Sequence, residues 1–293
     1  MRIKIVLKSS FLRLTGIWRG ALVVWFSSLL LVSLFAIPMK GVLKSGFGRS
    51  MIEDKLRDGF NVEVFSDLGD TLSSLGSYFS SGFILIIITG FLMNAFFAGG
   101  FYDGMKHGAG KSSTGDFLRS SAKNFWSFLV ISCVMSLMIV VLAALVIALP
   151  IVVVGKAIIM SEGSIFKTGI ILTSLFLLMM VILILVSDYA RAWQATRGGI
   201  LCFRAIGFGF RQTFRTILIS YTLMLTLLTV QILFSWLLLK ILPGWTPDTG
   251  VGVGLLFVLS QLLFLIKVML KVWRYGCIIA LMEVNLDVKS VSD

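Results

Sequence analysis

Residues 187–215 read SDYARAWQATRGGILCFRAIGFGFRQTFR and lie between two long apolar runs, 168–186 and 216–242. This segment contains one acidic residue, Asp188, and five arginines: Arg191, Arg197, Arg204, Arg211 and Arg215. Because loops rich in Lys and Arg are retained on the cytoplasmic side of a membrane, the segment predicts a helical hairpin with its connector inside. Placing this connector inside determines the side of every other loop.

Composition supports a membrane protein. The chain has 293 residues, of which 58% are hydrophobic and 14% are charged, and its mean hydropathy is +1.00. Soluble domains are about 45–50% apolar and about 25% charged, so a soluble chain of this length would need more polar surface. The net charge of +12 collects beside apolar runs, where it orients helices and meets anionic lipid headgroups. Nucleic acid is therefore not a predicted partner.

Six apolar runs predict an all-α polytopic membrane protein, with six transmembrane helices in three hairpins and interfacial amphipathic helices beside them. The predicted spans are 20–37, 81–101, 125–154, 168–186, 216–242 and 251–270. Residues 39–80 are hydrophilic and contain six acidic residues, which indicates an extracytoplasmic cap. We expect the whole chain, 1–293, to form a single integral membrane domain.

The distribution of basic residues predicts the orientation of the six spans. With both termini cytoplasmic, 18 of the lysines and arginines lie on the inner side and 8 on the outer side. The positive-inside rule predicts such an asymmetry. The basic N-terminus precedes a long apolar run without a small-x-small cleavage site, so we interpret that run as a retained first helix.

Within the arginine-rich connector, residues 203–215 are predicted to form an interfacial helix that binds anionic headgroups. Two sets of side chains recur at helical spacing: the apolar residues Phe203, Ile206, Phe210 and Phe214, and the basic residues Arg204, Arg211 and Arg215. A helix of this kind lies in the headgroup plane with its apolar side toward the acyl chains. Gly207 and Gly209 count against a stable helix and favour a hinge instead.

A candidate polar pathway runs through the predicted spans. Its members are Asn94, Gln231, Gln261, Lys267, Lys271 and Arg274. The last three recur at helical spacing on one face, and ionisable residues within a span are functional candidates by default. Lys267 is close enough to the end of its span to reach the inner headgroups instead, so both interpretations stay open.

Catalytic and metal-binding motifs are weak. The chain has one histidine, His107, and three cysteines without a CxxC pair, so we expect no metal site and no cofactor. The sequence GAGKSST at 108–114 resembles a phosphate loop, but Met105 stands where that motif requires glycine. Asp103 and Asp188 lie at the membrane boundary, where local pairing of Asp188 with Arg191 is favoured over a protease dyad.

Glycines at close spacing mark expected helix contacts. Gly100, Gly104 and Gly108 recur every fourth residue at the end of the second span, and Gly250, Gly252 and Gly254 open the sixth. Small residues let helices approach closely, so we expect a packing role for both groups.

Two connectors resemble those of a known group of proteins. The patterns are GGFYDG at 99–104 with GDF at 115–117, and DYAR at 188–191 with FRA at 203–205. Over about residues 95–225 the chain resembles uncharacterised bacterial six-helix membrane proteins. That group is similar to the membrane domain attached to some glycerophosphodiester phosphodiesterases. The resemblance implies a bacterial inner-membrane protein. It implies no site residues, since the catalytic barrel of those enzymes is absent.

Three functional hypotheses follow. The leading one is a non-enzymatic integral membrane protein that binds anionic lipid, or a partner protein or second copy, as in a subunit of a cell-envelope complex. It depends on the scarcity of catalytic residue types and on the Arg- and Phe-rich connector. The alternative is a small permease that uses the polar residues of the sixth span. The third is an enzyme acting on a lipid headgroup.

Overall fold

A computed structural model describes residues 2–47, 69–106, 113–156, 162–197, 201–241 and 250–290. These residues form helices and short connections, with no strand among them. In chain order the helices are α1 (Arg2–Gly16), α2 (Trp18–Phe47), α3 (Gly69–Lys106), α4 (Thr114–Lys156), α5 (Glu162–Arg197), α6 (Cys202–Arg215), α7 (Ile217–Ile241) and α8 (Gly250–Ser290). The all-α class is therefore confirmed.

Within the described residues, six helices are long and apolar enough to cross a membrane. The candidate spans are Trp18–Pro38, Gly82–Lys106, Thr114–Val146, Gly169–Arg197, Ile217–Leu237 and Gly250–Glu283. This confirms a multi-pass membrane protein.

Each of these helices continues past its apolar run, because leaving the hydrocarbon does not interrupt the hydrogen bonds along a helix backbone. Residues 39–47 and 69–80 of the predicted cap continue α2 and α3, and residues 48–68 lie outside the described residues.

The chain divides into two compact units. The first comprises Met1–Leu22 and Ala95–Asp293, and the second comprises Val23–Asn94. In the second unit, α2 and α3 approach each other where a Cβ on Gly82 would lie 3.5 Å from the Phe35 ring. Most of its apolar side chains are exposed, as expected for helices solvated by lipid, and Phe83 is 65% exposed.

In the first unit, helix α6 packs directly on α5. Its buried face consists of small or short side chains and one isoleucine: Cys202, Ala205, Ile206, Gly209 and Thr213. A Cβ on Gly209 would lie 2.5 Å from the carbonyl oxygen of Val186, so the two backbones touch at this point. Gly209 is therefore the crossing point of a continuous helix, as predicted for this segment, and the alternative of a hinge at Gly207 and Gly209 is not seen.

The predicted packing role of glycine is confirmed at α3 and is not seen at Gly250 and Gly254, at the start of α8. A Cβ on Gly100 would clash with Ser121 and the Phe117 ring of α4, and one on Gly104 would lie 3.3 Å from Ile17. Gly108 lies outside the described residues. At Gly250 and Gly254 a Cβ would meet no described atom within 4 Å, and most residues in this part of α8 are exposed.

Candidate functional site

Polar side chains from four helices of the first unit meet at a buried centre, which we call the Asp188 cluster. Its members are Tyr102 of α3, Ser132 of α4, Asp188 and Arg191 of α5, and Arg274 and Tyr275 of α8. Asp188 is 1% exposed, and Tyr102 is fully buried. A charged group in such surroundings is stable only when it is paired.

Asp188 is paired on both of its carboxylate oxygens. The Tyr102 hydroxyl donates a hydrogen bond to Oδ1 at 3.1 Å, and Arg191 Nη1 lies 3.8 Å from the same oxygen. Arg274 Nε lies 3.2 Å from Oδ2, an ion pair without hydrogen-bond geometry. The predicted pairing of Asp188 with Arg191 is confirmed, and Arg274 is a second and closer basic partner that joins α8 to α5.

The Asp188 cluster holds two guanidinium groups against one carboxylate. Arg191 Nη2 donates a hydrogen bond to the Ser132 hydroxyl at 2.9 Å, which links Arg191 to α4. The Arg274 guanidinium lies 5.4 Å from the centre of the Tyr275 ring, whose centroid is 4.7 Å from that of Tyr102. Aromatic faces attract cations, so the Tyr275 ring stabilises part of the excess positive charge. The arrangement is suited to joining helices.

Further polar pairs join other helices of this unit. Arg13 of α1 donates to both carboxylate oxygens of Glu283 of α8, at 3.0 and 2.6 Å. Ser10 Oγ and Cys277 Sγ are 3.0 Å apart, also between α1 and α8. The remaining pairs are Ser120 with Asp103 at 2.6 Å, Tyr189 with Ser220 at 2.7 Å and Gln194 with Ser127 at 3.3 Å. Each of these pairs connects two different helices.

Sequence reasoning missed most of these partners. Ser132, Tyr275 and Glu283 belong to no motif, Tyr102 was noted only as part of the GGFYDG pattern, and Arg13 and Glu283 are separated by 270 positions. One signal was available: several helices have polar residues just past an apolar run, at the same predicted membrane boundary. Polar groups at one depth can satisfy each other across helices, but this signal does not say which pairs form.

The residues of the candidate polar pathway have different surroundings. Arg274 belongs to the Asp188 cluster, Lys271 is half-buried and Lys267 is exposed. Each of these three basic residues directly precedes a buried residue in the chain: Val268, Val272 or Tyr275. The basic side of α8 therefore lies next to its packed side. Gln231 and Gln261 are half-buried, and Asn94 belongs to the second unit.

Helix α6 exposes the side chains that the sequence predicted for lipid contact. Arg204, Arg211 and Arg215 are exposed, Phe203 and Phe214 are 77% and 59% exposed, and Phe210 is half-buried. We call the exposed side of α6 that bears these residues the arginine face. Ile206, expected on the same apolar stripe, is instead buried against Ile131 and Met135 of α4. The reason is that α6 packs against two helices and not on lipid alone.

A cavity of 410 Å³, which we call the lateral groove, lies beside the arginine face. Five residues of α4 between 137 and 145 line it, with three of α5 between 179 and 183. Phe210 and Phe214 of α6 complete the lining, and their rings stack with centroids 6.4 Å apart. All ten lining residues are apolar. The volume is within the range of about 300–1,000 Å³ that small-molecule sites occupy.

Within the described residues, no group of three or more His, Cys, Asp or Glu side chains is placed to hold a metal ion. Comparisons with protein families, with curated proteins and with solved structures found no match to this chain. A functional conclusion therefore depends on the geometry of the Asp188 cluster, the arginine face and the lateral groove.

Proposed function

We propose that this protein is a non-enzymatic integral membrane protein that binds an anionic phospholipid at the arginine face of α6. One observation carries the proposal: α6 buries its small side chains on α5 and directs three arginines and two phenylalanines outward. A helix held in this way presents its basic side chains to the membrane surface without needing to fold on binding.

The chemistry of the arginine face suits a phosphate-bearing headgroup. Guanidinium groups bind phosphate oxygens through paired hydrogen bonds, and α6 contains no acidic residue that would compete for them. Each basic residue at an anionic surface contributes about 1 kcal/mol, and this contribution falls as salt screens the charges. Three arginines therefore provide a salt-sensitive preference for anionic over neutral lipid.

The leaflet follows from the distribution of charge along the chain. An excess of basic residues in the connectors that include α6 favours the cytoplasmic side, with both termini on that side. In a bacterium this places the arginine face at the inner leaflet of the cytoplasmic membrane. The lipid there would be an anionic glycerophospholipid.

The Asp188 cluster supports a non-enzymatic role. Its carboxylate is engaged by Tyr102, Arg191 and Arg274, which leaves it poorly suited to act as a base or nucleophile. We assign the Asp188 cluster to holding α3, α4, α5 and α8 together beneath the arginine face.

The test is binding of defined lipids to the purified full chain. Titrations with 1-palmitoyl-2-oleoyl-phosphatidylglycerol (POPG) and with the matching phosphatidylcholine (POPC), followed by native mass spectrometry, would measure both affinities. We expect POPG to bind more tightly, and replacing Arg204, Arg211 and Arg215 by Gln to weaken it about 100-fold. Lys167→Gln, which removes an exposed charge elsewhere on α5, is the control and should leave binding unchanged.

Two results would contradict the proposal. Equal affinity for POPG and POPC would remove the headgroup preference. A protein that co-purifies in stoichiometric amount with the wild type, and is lost from the triple arginine variant, would assign the arginine face to a protein partner instead.

A further inference from the structure

The lateral groove lies next to the region where α6 packs on α4 and α5. Helix α6 packs against Ile131 and Met135 of α4 and against Val186 and Ala190 of α5. The lining of the groove continues from that level along both helices, to residue 145 on α4 and residue 179 on α5. At a rise of 1.5 Å per residue, the α4 side extends about 12 Å. The groove therefore runs away from α6 along the two spans.

The lining and the surroundings of the groove favour a hydrocarbon occupant. Its α4 and α5 walls lie within the apolar spans Thr114–Val146 and Gly169–Arg197, and several wall residues are open to the outside, with Val141 and Leu145 51% and 56% exposed. Lipid tails are as apolar as leucine, so the groove gains little from hydrophobic transfer inside a bilayer. Its binding energy comes from van der Waals contacts, which an unfilled groove would forfeit.

The end of the groove beside α6 favours a lipid with an anionic headgroup. Phe210 and Phe214 line the groove, and Arg211 and Arg215 follow each of them by one residue on the exposed side of the same helix. The basic residues therefore follow the two groove-lining phenylalanines directly in the chain, on the exposed side of α6. A molecule with one anionic end and a long apolar tail is complementary to both parts.

We propose that the lateral groove holds one acyl chain of an anionic glycerophospholipid whose phosphate is bound by Arg211 and Arg215. This inference rests on the proposed function and adds a chain site to the headgroup site. It implies that soluble glycerol phosphate, which has the headgroup charge and no chain, binds weakly. It also implies that the lipid stays in one place on the protein, with its chain between α4 and α5.

The experiment compares two neighbouring tryptophan substitutions in the full-length protein. Val141 lines the groove, whereas Val140 is 62% exposed on the same helix and lies outside the lining. Val141→Trp should fill the groove with an indole ring and weaken POPG binding by about tenfold or more. Val140→Trp adds the same bulk to a lipid-exposed surface and should bind like the wild type. Leu145→Trp provides a second groove variant if Val141→Trp does not fold.

A photo-crosslink locates the chain directly. Phosphatidylglycerol that carries a diazirine on one acyl chain should label residues 137–145 or 179–183 of the wild type. Labelling there should be lost in Val141→Trp and retained in Val140→Trp. Omission of ultraviolet light is the background control.

The outcomes separate the two proposals. If the Arg→Gln variants weaken POPG binding while Val141→Trp and Val140→Trp behave alike, the groove assignment is overturned and the proposed function stands. If the arginine variants bind as the wild type does and Val141→Trp weakens POPG and POPC equally, the headgroup assignment fails, and the inference as stated fails with it. Crosslinks from the groove to a second copy of the chain would also overturn the chain site.

Discussion

The two halves of α8 have opposite relations to the protein interior. The first half, from residue 251 to 262, is almost wholly apolar, yet Val251, Phe257 and Val258 are 76%, 54% and 57% exposed. The second half contains Arg274, Tyr275 and Cys277, and nearly all of its residues from 275 to 282 are buried. In this helix the first apolar stretch faces outward, whereas the second stretch, which is also mostly apolar but is preceded by Arg274, forms part of the core.

The surrounding solvent explains this reversal. Apolar side chains in a bilayer are already in an apolar medium, so burying them against protein gains little. Unpaired polar groups in hydrocarbon cost several kcal/mol, and they lower this cost by meeting one another inside the protein. The polar contacts around Asp188 and its partners are therefore expected to contribute strongly to holding this unit together, beside its apolar packing. Three predictions test that conclusion.

The largest effect is expected at Asp188. Asp188→Asn would leave Arg191 and Arg274 facing each other without a carboxylate between them, whereas Arg274→Gln would leave a neutral Asp188–Arg191 pair. We expect Asp188→Asn to lower the free energy of unfolding by about 3–5 kcal/mol, and Arg274→Gln to lower it by less. Unfolding in detergent micelles, followed by circular dichroism, measures both changes.

The control for this prediction is Val258→Ala, in the exposed half of α8. It should change the free energy of unfolding by no more than about 0.5 kcal/mol. If Asp188→Asn is as mild as Val258→Ala, the Asp188 cluster does not hold the helices together.

A smaller effect is expected at Gly209. Helix α6 also has a packed side, which includes Gly209, and an open side, which includes Gly207. Gly209→Ala would place a methyl group 2.5 Å from a backbone oxygen of α5, which has little freedom to move. We expect a loss of about 1–3 kcal/mol from this overpacking. At Gly207 a Cβ would meet no described atom within 4 Å, so Gly207→Ala should stabilise the helix by up to about 1 kcal/mol. Thermal unfolding of the two variants side by side distinguishes them, and equal midpoints would contradict the crossing at Gly209.

The smallest change in stability is expected from Gly→Ala substitutions at two glycines of α8, one in each half of the helix. A Cβ on Gly276 would lie 3.0 Å from Met105 Sδ and 3.2 Å from Ser10 Cβ, whereas one on Gly254 would meet no described atom within 4 Å. The methionine side chain is flexible and can move aside, so we expect Gly276→Ala to cost about 1 kcal/mol. Gly254→Ala should be neutral or slightly stabilising. A destabilisation at Gly254 that matches Gly276 would show that the first half of α8 is packed as tightly as the second.

Much of the fold was predictable from the sequence. The thickness of the hydrocarbon core sets the length of an apolar run, so six runs of sufficient length predicted six membrane-crossing helices. The pairing of Asp188 with Arg191 was also predictable, since residues three apart on a helix are neighbours whatever surrounds them. The same local rule placed Arg204, Arg211 and Arg215 on the exposed part of α6.

Only the tertiary structure decided which helices meet and through which residues. It brought Tyr102 and Arg274 to Asp188, turned Ile206 inward and placed the lateral groove beside α6. In a run such as α7, apolar and polar side chains are spread around the whole helix, so the pattern specifies no rotation toward a neighbour. The physical reason is that lipid solvates all faces of such a helix equally well. Its rotation is then set by a few polar contacts and close backbone approaches, whose partners are far away in the chain.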